Sequence, residues 1–349
     1  MQIKRVGLDL AKRSIQIHAV DARDRVVMKK PVKRNELLAL FAHRPPCLIG
    51  LEACAGAHHW ARELGKLGHT VRLIAPKHVK PYVQGQKNDA NDAAAICEAV
   101  SRPSMRFVLV KSVDQQDVQA LHRIRSQCVE QRTAKVNLIR GLLTEYGIVI
   151  AQRLSNLRAA LVELLEDAEN GLSPDFRELL AGLRHDLMYL DERISDLTHR
   201  IERHAKDHEP AKRLMTIPGM GPISASALCA SVGDGGAFAN GRQMAAFLGL
   251  TPRQHSTGGK PKLLGIHKRG DSYLRGLLVH GARAVQRMAI NKTDDRSQWL
   301  NDLSNRRHKN IATVAQANKT ARIAWAILTR GETYCAHRRK LSPDVPFAA

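Results

Sequence analysis

The sequence predicts an α/β domain followed by a predominantly helical region, and three observations carry that expectation. Short apolar runs with period-two alternation fill residues 1–112. Long stretches without proline, apolar at every third or fourth position, occupy the middle. The last third alternates glycine- and proline-marked turns with alanine- and leucine-rich helical stretches.

Residues 3–10 read as a strand and 14–20 as its hairpin partner, with Ile15, Ile17 and Ala19 alternating against Gln16 and His18. Residues 25–29 supply a third strand, and a helix is expected over 35–42. Residues 47–52 are a short apolar run ending in an acid, a buried strand whose last residue emerges at the edge. A helix over 57–67 and a strand over 70–75 follow, with Pro76 as its end. Beyond Phe107-Val108-Leu109-Val110 the period changes. Residues 114–146 form one helical stretch rich in Arg123, Arg125, Arg132, Lys135 and Arg140. After Ser173-Pro174, residues Leu180, Leu183, Leu187, Leu190, Ile194, Leu197 and Ile201 trace a heptad seam. The seam suits a helix packed on its own domain, an intermolecular coiled coil, or an antiparallel arm made with the preceding helix. We read an arm that also contributes to oligomerisation.

The carboxyl-terminal part opens on Ile217-Pro218-Gly219-Met220-Gly221-Pro222 before an alanine-rich stretch, a helix-hairpin-helix pattern. A turn built on Gly219 and Gly221 bares backbone N–H groups at a helix start, where a phosphate binds; a purely structural tight turn is the alternative. Helices are expected over 241–248, 272–289 and 312–328, with a flexible loop bracketed by Pro252 and Pro261. The tail from Lys340 reads as loose. The expected domains are residues 1–112, a helical connection over 113–208, a carboxyl-terminal domain over 209–332 and a tail over 333–349.

Charge narrows the function. Against 33 Asp+Glu stand 55 Lys+Arg, a net +22, and such a surface attracts polyanions, nucleic acid foremost. The basic residues are spread over the whole chain, which favours a nucleic-acid enzyme over a ribosomal-type or membrane-surface protein. Aromatic residues make up only 4%, so base stacking is not the main recognition device. Six cysteines without a C-x-x-C pair suggest neither zinc site nor disulfide framework. With no signal-peptide core and no apolar run of membrane-spanning length, the expectation is a cytoplasmic protein, nucleoid-associated when active.

Four carboxylates stand out in the first domain: Asp9 near the end of the first strand, Glu52 ending the strand of residues 47–52, and Asp89 and Asp92 in Asn88-Asp89-Ala90-Asn91-Asp92-Ala93. On a helix, the i, i+3 spacing puts Asp89 and Asp92 on one face. An acid among apolar strand residues is costly unless a cation neutralises it, and converging acids are what paired Mg²⁺ ions require for phosphodiester chemistry. Singly, Asp89 also reads as a helix cap, Asp92 as a solvated face and Glu52 as a surface acid. His58-His59 is a weaker metal candidate, because adjacent helical residues point about 100° apart.

The other stretch with chemistry is Gln254-His255-Ser256-Thr257-Gly258-Gly259-Lys260, followed by Lys262, His267, Lys268 and Arg269. A hydroxyl in so cationic a loop attacks a phosphate or contacts it. The stretch is no Walker loop, since the G-x-x-x-x-G-K-[ST] spacing is missing.

Together Gly7-Leu8-Asp9-Leu10-Ala11-Lys12, Gly50-Leu51-Glu52-Ala53, Lys87-Asn88-Asp89-Ala90-Asn91-Asp92-Ala93, Ile217-Pro218-Gly219-Met220-Gly221, Leu248-Gly249-Leu250-Thr251-Pro252-Arg253, Ser256-Thr257-Gly258-Gly259 and His267-Lys268-Arg269-Gly270-Asp271 resemble the DEDD transposases of bacterial insertion sequences, relatives of the pilin-gene site-specific invertases. The resemblance runs from Ile3 to about Arg330. It implies a ribonuclease-H-like (RuvC-like) amino-terminal domain, a coiled-coil connection and a carboxyl-terminal transposase domain. It also implies a Mg²⁺-binding tetrad of Asp9, Glu52, Asp89 and Asp92, and a serine that forms a covalent link to DNA. A structured non-coding guide RNA and a homotetramer on DNA complete the family picture. Aligned without a gap, Thr257 stands opposite the family's nucleophile, while a shift of one residue restores Ser256; we read Ser256, whose primary alcohol is less hindered. Lys260, Lys262, Lys268, Arg269, Gly219 and Gly221 are the expected nucleic-acid contacts. What activates the hydroxyl stays open among a tetrad carboxylate, a bound metal and Lys260. Two rival readings remain: a junction nuclease using water as nucleophile, and a non-catalytic packaging protein.

Overall fold

The computed structural model describes residues 2–86 and 88–336, and it divides into two compact units, residues 1–113 and 114–349. Lys87 and the tail expected to be loose from Lys340 lie outside the described residues.

The first unit is a mixed sheet with helices. Strands β1 (Arg5–Leu10), β2 (Ser14–Val20) and β3 (Val26–Lys33) pair antiparallel as a meander. After helix α1 (Leu37–Ala42), strand β4 (Leu48–Glu52) lies parallel to β1. Helix α2 (Ala57–Lys66) leads to β5 (Thr70–Ile74), parallel to β4, and the short α3 (Pro76–Val79) follows. Helix α4 (Asp89–Ala99) precedes β6 (Phe107–Val108), giving the order β3-β2-β1-β4-β5-β6. Val6, Leu8, Ile15, Ile17, Ile49 and Leu51 are fully buried in its core, as strand alternation and short apolar runs require.

One local expectation changes, and two details are added. β3 continues through Pro31 to Lys33, because it is the edge strand and proline's missing N–H costs no ladder bond there. Pro76 ends β5 and also starts α3, where its fixed φ suits the first turn. Only Phe107 and Val108 of the apolar run at 107–110 pair with β5.

The second unit is built on two long helices, α5 (Val113–Thr144) and α7 (Pro174–Asp207), with α6 (Leu154–Glu166) between them in sequence. As numbers rise along α5 they fall along α7: Arg125 bonds Thr198, Arg132 bonds Asp191 and Lys135 pairs with Asp186. The two therefore run antiparallel. Leu180, Leu187, Leu190, Ile194, Leu197 and Ile201 are all buried within the chain, several against α5 residues such as Cys128, Val136 and Ile139. The heptad seam closes an intramolecular arm.

Helices α8 (Glu209–Met215), α9 (Pro222–Val232) and α10 (Gly241–Phe247) follow, then strands β7 (Pro252–Gln254) and β8 (Leu263–Ile266), then α11 (Ser272–Ala289), α12 (Asp295–Arg306) and α13 (Lys309–Arg330). Leu214, Leu228, Met244, Leu248, Leu274 and Ala321 share one buried cluster. The segment at 252–261, expected to be a flexible loop, instead belongs to an antiparallel hairpin, β7 against β8. No described helix is long and apolar enough to cross a membrane.

Candidate active site

The carboxyl ends of β1 and β4 are neighbours in register, Leu8 opposite Leu51, so the next residues along each strand, Asp9 and Glu52, emerge at the same end of the sheet. Helix α4 brings the other two acids. Asn88 caps it, its side chain accepting the Asn91 N–H, and this starts the helix so that Asp89 and Asp92 both fall in the first turn. The helix presses hard on β1: a Cβ on Gly7 would stand 2.1 Å from the Ala93 carbonyl and 2.4 Å from the Cys97 nitrogen. At Gly50 a Cβ would meet Val100 at 2.8 Å. Glycine at both positions lets α4 approach closely enough to deliver its acids.

Electrostatics report the convergence. Burial, followed by repulsion from Asp89, Asp92 and Glu52, pushes the Asp9 carboxyl up to about 6, against a small opposing effect of the Leu10 N–H. Asp89, Asp92 and Glu52 are thus each within electrostatic reach of Asp9. As placed, no three His, Cys, Asp or Glu side chains among the described residues close into a ligand shell. The donor chemistry still fits a hard divalent cation, with four carboxylates as oxygen donors and one of them, Asp9, whose charge is disfavoured by burial and by the other acids.

Two flanking residues escaped the sequence reading. Arg34 donates from Nη1 to the Ala11 carbonyl at 2.8 Å and lies over the Trp60 ring. The Cys54 thiol is raised first by burial and then by Glu52 and Asp9, which places it beside the acids; the Arg34 charge opposes that rise. Nothing in the sequence pattern marks either residue. His58, the rival ligand, instead accepts the Lys111 N–H at Nδ1.

Ser256 lies in the second unit, near the tip of the β7–β8 hairpin. Gly258 and Gly259 have φ of 56° and 74°, and the Lys260 N–H bonds the Thr257 carbonyl at 3.1 Å. Two positive φ values between such partners make a two-residue turn of type I′, which matches the twist of its flanking strands. The glycines sharpen the turn. At its base the hairpin is tied by Lys268 N–H to the Gly249 carbonyl and His267 N–H to the Thr251 carbonyl. The Ser256 Oγ accepts from Gln254 Nε2 at 2.9 Å and from the Lys262 backbone N–H at 3.1 Å. Lys260, Lys262, Lys268 and Arg269 are exposed around it.

The Gly219-Met220-Gly221 turn joins α8 to α9. Gly219, at φ +85°, sits so close to α11 that a Cβ would stand 2.7 Å from the Gly281 carbonyl. Gly221 starts α9 without a side-chain cap, leaving that helix end to its backbone amides.

Two family descriptions match this chain: DEDD transposases of the IS110 type over residues 6–148, and the transposase IS116/IS110/IS902 family over residues 211–298. A probable family 20 transposase of Pseudomonas aeruginosa is 53% identical over 96% of this chain and 99% of its own length. The transposase for insertion sequence element IS1111A of Coxiella burnetii is 47% identical over 95% of this chain and 91% of its own. That for IS1328 of Yersinia enterocolitica is 41% identical over 94% and 98%.

Proposed function

The chain belongs to the IS116/IS110/IS902 family of transposases, and from that premise we propose that it cuts and rejoins DNA through a covalent serine–DNA intermediate assisted by a tetrad of acids. The observation that carries the reading is the gathering of Asp9, Glu52, Asp89 and Asp92 at one end of the sheet, strongly enough that Asp9 resists ionisation. The strand order, three antiparallel strands with two parallel ones added beside β1, supports a ribonuclease-H-like, RuvC-like reading of the first unit.

Asp9, Glu52, Asp89 and Asp92 would hold Mg²⁺, which when bound supplies charge neutralisation at the scissile phosphate. Ser256 Oγ forms a bond to phosphorus as the bond from phosphorus to a deoxyribose oxygen breaks. The serine proton leaves to a base, and the departing oxygen takes one up. In rejoining, a DNA hydroxyl attacks the phosphoserine and Oγ leaves, so the phosphoester energy is kept and no ATP is needed. Lys260, Lys262, Lys268 and Arg269 fix the DNA backbone by charge, and the Gly219–Gly221 turn leads into α9, whose first-turn amides beyond Pro222, those of Ile223 and Ser224, add phosphate contacts. The family resemblance extends the proposal to a structured guide RNA and a homotetramer.

The test is cleavage of the element's junction DNA with Mg²⁺ and guide RNA, read on a denaturing gel with and without protease. Wild type should give a protein-linked DNA band that Ser256→Ala and Asp9→Ala abolish and Thr257→Ala retains. A band lost only in Thr257→Ala moves the nucleophile by one residue. Cut DNA without any adduct means hydrolysis by water.

A further inference from the structure

Resting on Ser256 as the attacking group, we propose that Gln254 is a positioning residue for that hydroxyl, donating to Oγ so as to acidify it in attack and stabilise it as it leaves. A serine oxygen has two lone pairs. Here one receives the Gln254 Nε2–H at 2.9 Å and the other the Lys262 backbone N–H at 3.1 Å. With both lone pairs engaged, the hydroxyl proton points away from both donors. The two donors act alike but differ in kind: the Lys262 amide is fixed by the hairpin, while Gln254 is, among the described residues, the side chain that donates to the oxygen.

The chemistry follows from counting. When the hydroxyl proton passes to a water acting as base, the oxygen gains a third lone pair, and that one attacks phosphorus while the two donors stay in place. The Oγ–P bond forms, the bond to the departing deoxyribose oxygen breaks, and that oxygen takes its proton from water. In the reverse step the same two donors meet the charge that develops on Oγ as it leaves. Donors aimed at a developing oxyanion act more strongly on the transition state than on the neutral hydroxyl. Spacing serves this arrangement too. Gln254 is the last residue of β7 and Ser256 lies two residues beyond it, within reach of its side chain, and the tight Gly258-Gly259 turn returns Lys262 opposite them, where its carbonyl accepts the His255 N–H.

The experiment measures single-turnover formation of the protein–DNA adduct against pH, with the full-length protein, junction DNA, guide RNA and Mg²⁺. Gln254→Met keeps the length of the side chain without a donor; Gln254→Glu substitutes an acceptor. Both should slow adduct formation by about 10- to 100-fold near neutrality. Both should also displace the rising limb of the pH–rate profile to higher pH, with the DNA concentration at half-maximal rate unchanged. A hairpin merely distorted by substitution would lose rate equally at every pH or lose DNA affinity. Wild-type rates and profile in Gln254→Met overturn the proposal, as does faster adduct formation in Gln254→Glu. Ser256→Ala is run alongside: an adduct that persists there overturns the nucleophile and this inference together, whereas loss in Ser256→Ala with an unaffected Gln254→Met overturns only the inference.

Discussion

Asp9 is where the stability of the first unit and the proposed chemistry pull against each other. Its carboxyl is held near 6 by burial first and by three neighbouring acids after it, so near neutrality the folded unit carries a charge it disfavours. The sign follows from linkage: a carboxyl raised in the folded state favours folding at acid pH and loses that contribution as pH rises from about 4 through 6. Asp9→Asn should therefore raise the melting temperature of chelator-treated protein at pH 7.5, by about 4 °C after allowing for solvent screening. The same variant should reduce DNA cleavage to background. Calorimetry and the gel assay on one preparation check both, and a variant that melts lower than wild type would show that Asp9 supports the fold instead. The approach of these acids to one another was legible in the sequence because Asp9 and Glu52 stand near the ends of apolar strand runs and Asp89 and Asp92 share the first turn of a helix. Gln254 and Arg34 were not: a polar side chain in a polar stretch acquires meaning only from what it touches, the Ser256 oxygen in one case and the Ala11 carbonyl in the other.

At the scale of elements, the closeness of α4 to β1 delivers the second pair of acids. Gly7→Ala would set a methyl against the backbone of Ala93 and Cys97, atoms that cannot rotate away. The expected cost is roughly 1–3 kcal/mol in urea unfolding, with cleavage lost even from the folded fraction because α4 must shift. Gly50→Ala meets the side chains of Val100 and Ile96 and should cost less. A Gly7→Ala protein with wild-type stability and activity would refute this account of the site.

A second joint ties α5 to α9 and α11. Buried His122 bonds Ser226 through Nε2 at 2.8 Å and Tyr273 through Nδ1 at 3.0 Å, and burial, with Arg125 and His204 nearby, lowers its pKa to about 4. The unfolded chain takes up a proton near 6.5 that the folded one refuses, so stability falls as pH drops from 6.5 to 4 and levels off below. His122 contributes about 3 kcal/mol to that loss. Thermal melts from pH 4 to 8 should show His122→Gln losing less than wild type over this window, and an identical slope in both would count against the assignment. The strands and long helices were readable because period-two and period-3.6 patterns survive in long windows. The short α8 and the charged α12 leave too little periodic apolar signal, whereas α6 does carry one, in Leu154, Leu157, Leu161 and Leu164, that the reading passed over. The paired glycines at 258 and 259 read as slack because glycine permits both disorder and a type I′ turn, and only the partner strand decides between them.

For the whole molecule, the net charge of +22 and the acid cluster impose opposite demands, one binding a polyanion and the other repelling it. In the proposed reading the basic surface therefore does the binding, and the acids act only once the phosphate is delivered and neutralised. That division separates two observables. Affinity for junction DNA should fall steeply with salt, by about 10³- to 10⁵-fold between 50 and 200 mM if six to ten phosphates are contacted. Removing one contact, as in Lys260→Ala, should make the slope of log affinity against log salt shallower by about 0.9 for every DNA sequence alike. The single-turnover rate of adduct formation at saturating protein should barely respond to salt, because the groups that act on phosphorus are already in contact with it. Fluorescence anisotropy and quenched-flow assays over one salt series give both quantities. A cleavage rate that falls in parallel with affinity would mean that the surface cations also shape the transition state, and Lys260 would then become the first candidate for activating the hydroxyl.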